Sequence, residues 1–327
     1  MKGLDLSQEE ARTMMSVFAS GEAHAAQVAG VLVALQMKGV KPSELAGLAE
    51  FLRESAVPLA HNCPNLVDTC GTGGGRTTFN LSTGAAIVAA ASGAKVAKHG
   101  NRSVTSKCGS ADVLEALGVV LTSDPESLSK LLETVGIVFL FAPHHHGSLA
   151  SVGPVRRALG VRTVFNLLGP LANPAGARRQ LIGVYDSGLV RPMAEALLLL
   201  GAERAFVVHS EDGLDEISPC APTFYAEVRD GKVTEGKFRP ADFGLVDVPD
   251  SALASGDTIE DSSRILVSAL DYSEPNRSRA LIPNSTIALL LAEVANDFAD
   301  GSRLAMDAIE SGSVMAKLNE LIEVSGL

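Results

Sequence analysis

The sequence lacks what would mark it as a nucleic-acid-binding, membrane-spanning or disulfide-stapled protein. It has 27 lysines and arginines against 38 aspartates and glutamates, a formal net charge of −11, so nothing overall favours DNA, RNA or an anionic membrane. No run approaches the roughly 18 apolar residues of a membrane span, and the N-terminus, MKGLDLSQEEARTMM, has no apolar signal core. The four cysteines, Cys63, Cys70, Cys108 and Cys220, show no C-x-x-C spacing, and the chain is long enough to need no disulfide staples. A reduced, soluble, cytoplasmic protein with no nucleic-acid or membrane partner is expected. Repeats, low-complexity tracts and linkers are absent. So are two phosphate-binding signatures. No GKS or GKT follows the glycines, and no G-x-G-x-x-G opens a helix with an acidic residue ending the next strand. At 327 residues, two structural units, or one α/β body with an added piece, are expected.

What is present centres on residues 65–111. Two glycine- and hydroxyl-rich loops each follow a short apolar run, with a small-residue helix between them. The first run is Asn65 to Thr69, followed by Gly71-Thr72-Gly73-Gly74-Gly75. The helix starts near Ser82-Thr83 and ends at Gly93, and the second run, Ala94 to Lys98, empties into His99-Gly100-Asn101-Arg102-Ser103. Glycines let backbone N–H groups converge on one anion, a helix start adds positive dipole, and Lys98, Arg102 and Lys107 add full charges. The pattern reads as a cradle for a phosphorylated ligand; a plain pair of tight βα connections is the alternative.

Around this centre, residues 7–60 read as three amphipathic helices. Ser7 and Glu10 make a capping box before Ala11, Met14, Met15 and Phe18. A second helix runs from Glu22 to Met37, and a third follows Pro42 with Ser43 as its cap. So thin a bundle buries little apolar surface by itself, which points to packing on the body or on a second copy, and a dimer interface is the favoured reading. Further on, Ser110 caps a helix over Asp112–Leu117, and Pro125–Val135 forms another. Gly136–Pro143, Gln180–Tyr185 and Arg204–His209 read as strands, and Phe224–Val228 with Lys232–Phe238 as a hairpin about Asp230-Gly231. Strands alternating with helices imply an α/β fold with a mainly parallel sheet covered on both faces.

Three other segments could carry chemistry. His144-His145-His146 follows a strand end but lacks carboxylates at ligand spacing, so a pocket-wall role is favoured over zinc. Arg156-Arg157 put two guanidiniums at a helix start, where they suit a carboxylate or phosphate partner or a solvated face. Glu211, Asp212, Asp215 and Glu216 bring four carboxylates together, suited to Mg²⁺, to glycosidase-like acid/base work that would leave the glycine loops unexplained, or to an acidic surface loop.

Six motifs in order, VDTCGTGG, TFNLST, KHGNR, GPVRRALGVRTVFNLLGPLANP, IGVYD and HSEDGLDEIS, resemble the anthranilate phosphoribosyltransferase family along nearly the whole chain. The resemblance implies phosphoribosyl transfer from 5-phosphoribosyl 1-pyrophosphate to anthranilate in tryptophan biosynthesis. It implies a helical dimerisation domain of residues 1–64 with about 150–171, an α/β domain of 65–149 and 172–327, and a homodimer. Donor contacts are expected at Gly71, Gly74, Gly75, Thr78, Asn80, Leu81, Ser82 and Thr83. They continue at Lys98, His99, Gly100, Asn101, Arg102, Ser103, Val104, Thr105, Ser106 and Ser110. The acceptor is expected at Gly71, Asn101 and Arg156, and Mg²⁺ at Ser82, Asp215 and Glu216; no general base is assigned. Two departures stand out. Gly75-Arg76 replaces the family's Asp-Gly with one residue fewer, so an altered Mg²⁺ dependence is expected. Residues 147–151 depart from HHPAM, so the acceptor could be another aryl amine. Alternatives are a pyrimidine nucleoside phosphorylase and a non-catalytic nucleic-acid binder.

Overall fold

A computed structural model describes residues 3–103 and 107–327. Three amphipathic helices open the chain, α1 (Gln8–Ser20), α2 (Ala25–Lys38) and α3 (Pro42–Ser55). The capping box forms: Glu10 N–H donates to Ser7 Oγ at 3.2 Å and Ser7 N–H to Glu10 Oε2 at 2.8 Å. Ser43 is not a cap. Pro42 already occupies the first helical position, where its missing N–H costs nothing, and Ser43 Oγ donates instead to Leu6 O at 2.9 Å.

The α/β body continues with β1 (Val67–Asp68), α4 (Leu81–Ala91), β2 (Val96–Gly100), α5 (Ser110–Ala116), α6 (Pro125–Thr134), β3 (Ile137–Phe141) and α7 (Ala142–His145). Then come α8 (Gly153–Leu159), α9 (Phe165–Leu171), β4 (Arg179–Gly183), α10 (Val190–Leu199), β5 (Arg204–Ser210), β6 (Thr223–Arg229) and β7 (Lys232–Phe238). Helices α11 (Ile259–Leu270), α12 (Pro275–Leu291), α13 (Phe298–Glu310) and α14 (Ser313–Ser325) close the chain. The strand beginning at Ile137 stops at Phe141, short of the expected Pro143. That proline instead sits in the first turn of α7, which suits its fixed φ. Helix α4 begins at Leu81 behind Asn80, so Ser82 lies within the first turn rather than capping it. Likewise Gly109 precedes α5, and Ser110 Oγ donates to Asn101 O at 3.3 Å.

The seven strands lie in the order β3-β2-β1-β4-β5-β6-β7. Strands β1 to β5 pair in parallel, and β6 and β7 add an antiparallel edge. The β6–β7 turn has positive φ at Asp230 (51°) and Gly231 (70°), the backbone a two-residue hairpin requires. Strand order reverses between β1 and β4, and open parallel sheets hold their ligands outside the carboxyl ends of the strands at such a point. The first glycine loop leaves β1 there, and Thr72 N–H donates to Gly183 O at the end of β4 (2.8 Å).

Side-chain alternation along the central strands supplies two cores. Leu181, Phe206 and Val208 join α4 and α11 to α14 on one side; Ile182, Ala205 and Val207 join α10, α3 and α9 on the other. Helices α1 to α3 are therefore not a thin free bundle. Their apolar stripes (Met15, Leu32, Leu48, Leu52) run into the second core, with α8 against α2 and α9 against α3.

Candidate active site

One buried carboxylate opens both loops. Asp68, fully buried at the end of β1, accepts through Oδ1 from Cys70 N–H (3.0 Å) and His99 N–H (3.1 Å). Its Oδ2 has no partner among the described residues. Burial pushes the Asp68 carboxyl up to about 6, against the pull of Asn173, Lys98 and those two N–H groups. Beside it the buried Lys98 ammonium donates to Thr69 O (3.1 Å) and Thr69 Oγ1 (3.2 Å), while Thr69 Oγ1 donates to Ser82 O (3.3 Å). Strand β2 thus delivers a cation to the start of α4.

The acidic segment closes the other side. Of its four carboxylates, two are already engaged: Glu211 pairs with Lys237 at 2.6 Å, and Asp212 accepts from Ser210 and from Ser218 Oγ (2.7 Å). Asp215 and Glu216 remain. They are held in place by Asn284 of α12, which exchanges two 3.0 Å hydrogen bonds with the backbone of Ile217. Burial raises Asp215, partly offset by the Gly75 and Gly73 N–H groups, and pushes Glu216 up to about 8, with the Asp215 charge adding to the rise. Lys98 and Ser82 oppose that rise at Glu216. Two adjacent carboxyls held off their usual range, with one hydroxyl beside them, suit a hard divalent cation. Among the described residues no three His, Cys, Asp or Glu side chains converge to hold a metal. The donor set fits Mg²⁺ only if ligand oxygens and water complete it, which is how Mg²⁺ is commonly held at phosphate sites.

Glycine is required here by close approach. A Cβ on Gly75 would stand 2.5 Å from Asp215 Oδ1, and one on Gly183 would overlap the Asp215 carbonyl. Arg76, which departs from the resembled motif, points away: its guanidinium forms a bidentate pair with Asp250 at 2.7 and 2.5 Å. The positive charge expected at the ligand is thereby neutralised at the surface.

On α8, Arg156 is partly buried with its guanidinium 5.1 Å from the Phe165 ring centroid, and no carboxylate pairs with it among the described residues. Burial lowers its pKa. A half-buried cation without a counter-ion is a place for an anionic ligand. His99 ties this side to the loops, its Nδ1 lying 2.9 Å from Gly169 O of α9. His99 also meets His146 edge-on, centroids 5.2 Å apart, and burial pushes them down to about 3 and about 4, so both are neutral. His145 Nδ1 lies 2.8 Å from Val57 O.

The expected site residues therefore fall into groups. Gly71, Gly74, Gly75, Ser82, Lys98, Asp215 and Glu216 gather about the β1/β4 crevice. Asn80 Nδ2 donates to Cys108 O (3.2 Å), and Gly100 packs on Ser110, so the two loops abut. Leu81 and Thr83 bury their side chains, Thr83 Oγ1 without a hydrogen-bond partner among the described residues, and Thr78 Oγ1 donates to Phe79 O. Arg102 is paired with Asp112 (3.0 Å) and Glu115 (2.5 Å), Lys107 with Asp257, and Ser103 N–H donates to Asp112 (3.1 Å). Asn101 is exposed. Val104, Thr105 and Ser106 lie outside the described residues. Asp68, Thr69, Gly183 and Asn284 are part of the arrangement and were missed. Asp68 and Gly183 lie inside quoted motifs, whereas Asn284 had no signal at all.

The chain is similar to known proteins along nearly its whole length. Residues 63–315 match the model for the a/b domain of a glycosyl transferase family, and residues 1–56 the model for its helical bundle domain. The chain is 47% identical over 324 residues to the anthranilate phosphoribosyltransferase of Desulfatibacillum aliphaticivorans (99% of this chain, 96% of that one). It is 48% identical over 321 residues to that of Myxococcus xanthus (98% and 95%). Among solved structures, the Thermus thermophilus anthranilate phosphoribosyltransferase superposes with TM-score 0.92 at 40% identity, covering 99% and 97% of the two chains. The Saccharomyces cerevisiae enzyme in complex with PRPP and Mg superposes with TM-score 0.87 at 27% identity, covering 98% and 94%.

Proposed function

The chain belongs to the anthranilate phosphoribosyltransferase family and transfers a phosphoribosyl group to anthranilate; from that premise we propose which of its residues do the work. The amine nitrogen forms a bond to C1 of the ribose while the C1–O bond to pyrophosphate breaks. The electron pair leaves on pyrophosphate, and the nitrogen, acidified once bonded to C1, gives up one proton to water. An aryl amine is already neutral near pH 7, so its activation needs no strong base and none is assigned. The cost lies in separating charge at C1, and the residues in the crevice address that cost. Lys98 and those loop N–H groups that the fold leaves open face the developing negative charge on the leaving group, the N–H groups of Thr72, His99, Arg102 and Ser103 being already engaged. Asp215, Glu216 and Ser82 would hold Mg²⁺, whose chemistry there is to neutralise pyrophosphate oxygens. Arg156 on Phe165 receives the anthranilate carboxylate and, with Gly71 and Asn101, sets the amine toward C1.

The uncompensated Arg156 guanidinium carries the acceptor assignment. We place the molecule in the cytoplasm as a homodimer, with residues 1–64 and about 150–171 forming the dimerising helical unit and the remainder binding the donor. Loss of anthranilate fluorescence on mixing enzyme, 5-phosphoribosyl 1-pyrophosphate and Mg²⁺ tests the reading, with Arg156→Ala alongside. The expected outcome is rapid loss that needs donor and metal and slows about 100-fold in the variant, as loss of a charged contact of about 3 kcal/mol implies. Wild-type rates in the variant would refute the acceptor site. Turnover of another aryl amine in place of anthranilate would point instead to the departure at 147–151.

A further inference from the structure

Arg162 lies between α8 and α9, in the same stretch as Arg156 and Phe165, yet its guanidinium crosses to the donor side. Its Nη2 donates to Gly74 O at 2.7 Å, and its Cζ stands 4.3 Å from the Tyr185 ring centroid. Other exposed cations nearby are neutralised, Arg76 by Asp250 and Arg102 by Asp112 and Glu115. Arg162 has no ion-pair partner among the described residues. It directs its charge at one backbone carbonyl of the glycine loop. Gly74 has φ +86°, and a Cβ there would stand 2.8 Å from Arg162 Nη2, so the contact requires glycine.

The peptide unit between Gly74 and Gly75 gives this contact a consequence. In a trans peptide the C=O and N–H point in opposite directions. Arg162 holds the oxygen end, and the Gly75 end lies against Asp215, with Oδ1 2.5 Å from where a Gly75 Cβ would stand. Gly73 and Gly74 are both left-handed (φ +64° and +86°), so this loop has much backbone freedom to lose on ordering. We infer that Arg162 is a positioning residue that couples the two substrates, fixing the Gly74–Gly75 peptide for the donor when the acceptor orders the segment carrying Arg156. This rests on the donor and acceptor assignments above. The acceptor carboxylate steadies α8 through Arg156; six residues on, Arg162 carries that order to the donor loop.

The test is calorimetric titration of 5-phosphoribosyl 1-pyrophosphate with Mg²⁺ into wild type, Arg162→Ala and Arg162→Lys, without and with saturating benzoate. Benzoate carries the aromatic carboxylate but no amine, so no turnover intervenes. In wild type, benzoate should tighten donor binding about fivefold or more, the lower end of ordinary coupling. Arg162→Ala should bind the donor more weakly and lose the tightening, while its Tm stays that of wild type because the side chain is exposed. Arg162→Lys should fall between, since an ammonium can meet the Gly74 carbonyl but not stack on Tyr185 as a plane. Tightening that survives in Arg162→Ala, or its absence from wild type, would overturn the inference. Failure of wild type to bind the donor at all would instead refute the donor assignment.

Discussion

His99 and His146 show how a residue's burial becomes a pH response. Both are neutral in the folded protein because burial pushes them down to about 3 and about 4. Unfolded, each takes up a proton below about 6.5. Their contribution to stability is therefore complete above about pH 6.5 and is lost as pH falls toward their folded values. Asp68 and Glu216, raised to about 6 and about 8, act in the opposite sense: the fold gains from them as pH falls through those values. The two effects oppose each other in wild type, so the histidine part is read from a difference. Urea unfolding of wild type and His146→Gln at pH 7 and pH 5 should show the wild type losing about 2 kcal/mol relative to the variant across that interval. Identical changes in both proteins would mean that His146 is not held neutral. Histidine identity was plain in the sequence; its pKa was not, because burial between Leu52, Ala172 and His99 comes from three distant segments.

At the scale of elements, the ends of β1 and β4 decide where the acidic segment can lie. The chain of close approaches runs from Gly71 against Gly183 to Gly183 against the Asp215 carbonyl and Gly75 against the Asp215 carboxylate. Gly183→Ala would drive a methyl into backbone, which cannot rotate aside. It should cost about 1–3 kcal/mol in stability and shift Asp215 and Glu216 enough to lower kcat/KM about 100-fold. Gly326→Ala, far from the site in sequence, is the matched control, since its Cβ would make only ordinary contacts of 3.6 Å or more. Chemical denaturation and initial rates on both variants check this; a fully active Gly183→Ala protein would show that the approach is not needed. The glycine clusters and helix stripes were legible because they act locally. The caps at Ser43, Ser82 and Ser110 were misread, since Pro42, Asn80 and Gly109 set those helix starts and each serine lies within the first turn.

At the scale of the whole molecule, α1 and α2 leave Val17, Val33 and Met37 exposed, Met37 at 84%, on helices whose other faces are packed into the second core. In a homodimer through this unit, these side chains would be covered by the second copy. Sedimentation should give the two-chain mass at micromolar concentration, and Val33→Glu with Met37→Glu should give the single-chain mass. An unchanged dimer would move the interface elsewhere, and a wild-type monomer would remove it. Charge, periodicity and ordered motifs determined from sequence alone the α/β class, the three opening helices and the family, because those signals are local along the chain. Tertiary structure decided that Glu211 pairs with Lys237 and Asp212 with two serines while Asp215 meets the glycine loop and Glu216 meets Ser82, that Arg76 turns outward to Asp250, and that Asp68 ties two loops together. Each of these depends on which partner a side chain finds across the fold, and residue type cannot specify that partner.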